Sequence, residues 1–75
     1  MTITVKLIGP LVQALGFSEK AFILPEGATT ESVLNAVGFP PERPRIVTRN
    51  GRAAAPGEPL AEGDRLAISP LYSGG

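Results

Sequence analysis

Glu62-Gly63-Asp64-Arg65-Leu66-Ala67-Ile68-Ser69-Pro70-Leu71-Tyr72-Ser73-Gly74-Gly75 is the stretch on which the reading of this chain turns. Glu62-Gly63-Asp64 has the composition of a turn, with Asp64 placed to bond local backbone N–H groups and the glutamates Glu58 and Glu62 left to solvent. Leu66 and Ile68 then point one way and Arg65, Ala67 and Ser69 the other, which is the period of a half-buried strand. Pro70 lacks a backbone donor and is expected to end ladder pairing. The chain divides accordingly into a domain over residues 1–70 and a flexible, extended tail over residues 71–75. Glycine has no Cβ, and two in succession make the end of that tail thin enough for a narrow channel. A carboxylate is a poor electrophile, but attack on the α-phosphate of ATP converts it to an acyl adenylate that a sulfur nucleophile can displace. Gly75 is the candidate for that covalent attachment, with Gly74, Ser73, Tyr72 and Leu71 as the segment that threads into a partner. The bland alternative is an ordinary frayed terminus.

Upstream of this stretch, Arg45 to Arg49 carries Ile46 and Val47 and runs into Asn50-Gly51, a dipeptide suited to a tight hairpin because both residues tolerate positive φ. A returning strand is expected through Arg52 to Ala55, then a Pro56 to Pro59 loop and an apolar anchor at Leu60. Thr29 or Thr30 can cap a helix ending at Ala36 or Val37, with Val33, Leu34 and Val37 as its apolar stripe. Gly38, followed by Phe39 and two prolines, is a strong stop. Ala21 to Leu24 reads as a strand closed by the turn Pro25-Glu26-Gly27. Pro10 to Gly16 reads as a short helical turn carrying Leu11 and Leu15. At the front, Thr2 to Ile8 alternates, with Ile3, Val5 and Leu7 on one face, and pairs with the Ala21 to Leu24 strand. Strand, strand, helix and further strands make an α+β layout, in which one main helix covers one face of a sheet.

Composition narrows the chemistry. Seven basic and seven acidic residues cancel, which removes the long-range attraction that nucleic acid or an anionic membrane surface requires. Without cysteine or histidine there is no thiolate or imidazole for a metal site, no thiol nucleophile and no imidazole base. The glycines are not spaced as a phosphate loop, so no bound cofactor or metal is expected and ATP is left to a partner. No apolar run is long enough to span a bilayer, and no signal-like segment opens the chain, so the cytoplasm is the expected compartment. Arg43, Arg45, Arg49 and Arg52 form the one basic concentration, read either as a solubilising face or as a docking patch for an acidic partner. Arg45, Arg49, Arg52 and Pro70 are the docking candidates.

The segment Leu60 to Pro70 followed by Gly74-Gly75 resembles the ending of the MoaD/ThiS family of sulfur carriers, which are ubiquitin-like β-grasp proteins. The likeness extends back through Val47-Thr48-Arg49-Asn50-Gly51, Gly27-Ala28-Thr29 and the opening strand, and so covers essentially the whole chain. The Gly9 to Gly16 segment and Ser69-Pro70 place it nearest the small subunit of molybdopterin synthase, although Ser69 stands where a second proline is usual. The resemblance implies a β-grasp sheet of four to five strands and a carrier with no catalytic residue of its own. It also implies adenylation of Gly75 by a ubiquitin-activating-type adenylyltransferase and conversion to a thiocarboxylate. A sulfur-acceptor enzyme such as the molybdopterin synthase large subunit would then take the sulfur. Thiamin, thiolated tRNA and cysteine synthesis stay open as destinations, as do a protein modifier joined to lysine and a plain interaction domain.

Overall fold

The computed structural model describes residues 1–40 and 42–71. Strand β1, Thr2–Leu7, is followed by helix α1, Leu11–Leu15, and strand β2, Glu19–Ile23. Helix α2, Thr30–Val37, leads to strands β3, Arg45–Arg49, β4, Arg52–Ala53, and β5, Arg65–Pro70. The five strands form one sheet in the order β2-β1-β5-β3-β4, with β1 and β5 parallel and the other pairs antiparallel. This is the β-grasp arrangement with α2 as the main covering helix.

Alternation sorts the sheet into two faces. On one, Ile3, Val5 and Leu7 of β1, Leu66 and Ile68 of β5 and Val47 of β3 are buried together with Val33 and Leu34 of α2, Leu11, Phe39 and Leu60. The other face carries Thr4 and Lys6 of β1, Arg65, Ala67 and Ser69 of β5, and Ile46 and Thr48 of β3, and no helix of the described chain covers it. The expected inward set of both long strands is therefore the observed one.

Local chemistry fixes the helices. Thr29 caps α2 in a reciprocal box: its Oγ1 accepts from the Ser32 N–H at 3.4 Å, and the Ser32 Oγ accepts from the Thr29 N–H at 3.0 Å. At the other end Gly38 takes φ 82°, the Gly38 N–H donates to the Asn35 carbonyl and the Phe39 N–H donates to the Leu34 carbonyl at 3.0 Å. That pair of bonds satisfies the last carbonyls and turns Phe39 back into the core. In the β3–β4 hairpin Asn50 and Gly51 have φ 51° and 86°, the two positive values that match a two-residue loop to strand twist.

Two strands differ from expectation. β2 covers Glu19–Ile23 rather than Ala21 to Leu24, because β1 sets its limits: the Leu7 N–H reaches the Ser18 carbonyl at 2.8 Å, so pairing begins before the apolar run does. β4 is two residues long, although the Ala54 N–H still donates to the Val47 carbonyl at 2.9 Å. No helix among the described residues is long and apolar enough to cross a membrane.

Candidate functional site

The candidate site is the C-terminal end of β5, and its geometry begins at the opposite end of that strand. Asp64, only 6% exposed, precedes the strand. Its Oδ2 accepts from the Ala61 N–H at 2.8 Å and from Arg49 Nε at 2.7 Å, and its Oδ1 accepts from Asn50 Nδ2 at 2.9 Å. Asn50 answers with its own Oδ1, which accepts from the Arg65 N–H at 2.9 Å. Arg49 also donates through Nη1 to Glu58 Oε2 at 3.1 Å, and Glu58 Oε1 accepts from the Ala55 N–H at 3.3 Å. One carboxylate thus ties the β3–β4 turn to the start of β5.

Protonation follows this bonding. Burial pushes the Asp64 carboxyl up, but the Ala61 N–H, the Asn50 amide and the Arg49 guanidinium together outweigh it and hold the group below the ordinary aspartate value. The Arg49 hydrogen bond, assisted by the Ala55 N–H, holds Glu58 below its ordinary value. Hydrogen bonds to Asp64 and then Glu58 raise Arg49. The local turn bond of Asp64 is as expected from the sequence. Glu58 is not a solvated side chain, however, because Arg49 spans the nine positions between them to reach it.

From this anchor β5 runs between β1 and β3, bonded on both sides, and reaches Pro70. Pairing does not stop before that proline: β5 includes it, and Pro70 sits opposite Arg45. The Ile68 carbonyl accepts from the N–H of Ile8, the residue after β1, while the Leu71 N–H donates to the Pro44 carbonyl on the β3 side at 3.4 Å. Backbone groups alternate sides, so the missing Pro70 donor faces the β1 side, where the chain has already turned away at Gly9-Pro10. The proline therefore costs no ladder bond. Leu71 is 53% exposed and borders a groove of about 450 Å³ that Pro10, Leu11, Ala14, Arg43, Pro44 and Pro70 also line.

The candidate residues separate in space. Arg45 and Arg49 flank Val47 on the helix-covered face, and Arg49 pairs across the hairpin with the exposed Arg52. Arg45 places its guanidinium 5.5 Å from the Phe39 ring centre. Pro70 sits opposite Arg45, whereas Arg49 lies at the far end of β3 in the Asp64 junction. The threading residues Tyr72, Ser73 and Gly74 and the attachment residue Gly75 lie outside the described residues. Among the described residues no group of three or more His, Cys, Asp or Glu is arranged to hold a metal ion.

Sequence reasoning missed the groove on the helix-free face. It measures about 490 Å³ and is lined by Thr4, Lys6, Thr48, Asn50, Gly51, Arg65, Leu66 and Ala67. The alternation that buried Val5 and Leu66 also put Lys6 and Arg65 outward, but which strands lay side by side was needed to bring them together.

A model of the ThiS family matches residues 5–75. The fold is similar to that of SAMP1, a small archaeal modifier protein of Haloferax volcanii, with TM-score 0.84, 30% identity and 100% of both chains covered. It is also similar to a putative molybdopterin converting factor subunit 1 of Pyrococcus furiosus, with TM-score 0.85, 22% identity, and 96% of this chain and 99% of that chain covered. Subunits 1 and 2 of the molybdopterin-converting factor of Helicobacter pylori were solved as a protein–protein complex, which matches with TM-score 0.66, 17% identity and 100% of both chains covered. No curated protein matches.

Proposed function

Since the chain belongs to the ThiS family, we propose that it is a sulfur carrier whose C-terminal Gly75 is adenylated and converted to a thiocarboxylate. The observation that carries this reading is the construction of β5. The strand is locked at Asp64, paired with β1 through Ile68 and with β3 as far as Pro70, and ends there, with Leu71 between it and Tyr72-Ser73-Gly74-Gly75. A strand held on both sides, whose end is separated by three residues from a terminal glycine pair, suits presentation of a carboxylate to another protein.

In the proposed sequence the Gly75 carboxylate attacks the α-phosphate of ATP on a ubiquitin-activating-type adenylyltransferase, and pyrophosphate leaves. A persulfide sulfur attacks the acyl carbon and AMP leaves. A thiol then cleaves the S–S bond of the acyl disulfide, leaving the thiocarboxylate on Gly75 and a disulfide on the sulfur-relay protein. The carrier is a co-substrate in these steps, and the catalytic side chains belong to its partners. The favoured destination is molybdopterin, with the large synthase subunit as acceptor, by analogy with the two-subunit complex and with the short α1 segment between the first two strands.

The chain ending at Gly75, incubated with ATP, Mg²⁺, a cognate adenylyltransferase and a sulfur donor, should gain the mass of one oxygen-to-sulfur exchange. A chain lacking Gly75 should gain none. An unchanged mass after incubation with the adenylyltransferases of the sulfur-carrier pathways would overturn the assignment. A second reading is favoured by the likeness to SAMP1 along both whole chains: the same activated glycine forms an isopeptide bond to lysine on another protein. Lysine-linked conjugates that vanish on deletion of Gly75 would support that branch.

A further inference from the structure

The chain has two lysines, Lys6 and Lys20, and the fold treats them differently. Lys20 on β2 points its ammonium at two aromatic rings, 5.9 Å from the Phe17 centre and 5.5 Å from the Phe22 centre. Those contacts engage the Lys20 head group with this chain's own rings. Lys6 lies outward on β1, exposed, with no hydrogen bond or ion pair to any described residue.

The ground around Lys6 is shaped for a thin anionic chain end. Across the sheet, Lys6 faces Glu19 of β2 on one side and Ala67 of β5 on the other, and Ala67 in turn faces Thr48, so the row approaching the amine from β3 and β5 contains no large side chain. This row forms part of the groove of about 490 Å³, whose lining includes the cations Lys6 and Arg65 and no carboxylate. Arg65 reaches Glu19 at 3.6 Å, yet its side chain remains 65% exposed, so one face of the guanidinium is open to a ligand. Two cations against the single Glu19 carboxylate, which Arg65 already engages, leave a net positive rim. An extended glycine pair ending in a carboxylate or an acyl phosphate matches this combination of narrow floor and positive rim.

We infer that Lys6 is an acceptor amine at which the activated Gly75 of a second copy of this chain is joined, giving a chain-to-chain conjugate. The inference rests on the proposed activation of Gly75. Neutral Lys6 Nζ attacks the acyl carbon of the Gly75 adenylate, the C–N bond forms, the C–O bond to phosphate breaks, and AMP leaves with the electron pair. The amine proton passes to solvent, and no oxidant or reductant is required. Sulfur and Lys6 then compete for one adenylate, so conjugation should rise when the sulfur donor is withheld.

The test incubates the chain with ATP, Mg²⁺ and the adenylyltransferase, with and without sulfur donor. Pyrophosphate release and the AMP adduct report activation, and intact mass reports the linked dimer. Trypsin cuts after Arg65, so a linkage is read as the remnant Leu66 to Gly75 on the acceptor lysine. The expected result is a dimer branched at Lys6, lost in Lys6→Arg and kept in Lys20→Arg. Both variants are checked for an unchanged urea midpoint. Activation without a dimer, or a branch at Lys20 with Lys6 unmodified, overturns the inference and leaves the carrier reading intact. Absence of the AMP adduct overturns both.

Discussion

Asp64 shows how much one side chain can organise in a chain of 75 residues. Three donors converge on it, and removing the carboxylate leaves Arg49 Nε, Asn50 Nδ2 and the Ala61 N–H without their acceptor. Asp64→Ala should therefore destabilise the fold by about 2 kcal/mol in urea unfolding. Acid should do the same by protonation. Asp64 and Glu58 are both held below their ordinary values when folded, so their contribution is complete above the unfolded carboxylate range, near pH 4. It is lost as the pH falls through that range toward the lowered folded values. The urea midpoint should drop between roughly pH 5 and pH 3, with a shallower drop in Asp64→Asn. The sequence marked Asp64 as a turn residue because its bond to Ala61 is local. It could not mark the Arg49 contact, because fifteen positions separate the pair and only the placing of β3 beside β5 closes that gap.

At the scale of elements, signals that act within a few residues were legible. The cap of α2 rests on Thr29 and Ser32, and its stop on Gly38 and Phe39, all inside eleven positions. Gly38→Ala tests how the stop works. A Cβ there would meet no atom within 4 Å, so the cost is the left-handed backbone alone, about 1 kcal/mol. Gly57 also has open space around a built Cβ but does not take positive φ, so Gly57→Ala should be neutral or slightly stabilising. Equal losses in the two variants on thermal unfolding would refute the backbone account. Strand limits were less legible than helix ends because a ladder partner decides them. β2 begins at Glu19 since β1 reaches it there, and β5 carries Pro70 since β1 has already ended.

Over the whole molecule, the parallel pair β1–β5 joins the two ends of the described chain and puts Ile68 between Leu7 and Val47 at the centre of the sheet. Total stability for this length is roughly 4 to 11 kcal/mol, so a single central cavity matters. Ile68→Ala should cost about 3 kcal/mol and Ile23→Ala less than about 0.5 kcal/mol in urea unfolding. Both are isoleucines on strands, yet Ile68 is fully buried and Ile23 is 86% exposed on the edge strand. A comparable loss in the two would contradict the burial assigned to them.

By itself the sequence determined the inward faces of β1 and β5, the cap and stop of α2, the Asn50-Gly51 turn and membership of the ThiS family. Each of these depends on alternation, on spacing within a few residues, or on a pattern spread along the chain. Only the tertiary structure decided that Arg49 is bound to Asp64 and Glu58, that Ile23 faces outward, and that Lys6 and Arg65 share one groove. Those outcomes depend on which strands lie side by side, because a strand fixes the direction of its side chains but a sheet fixes their neighbours.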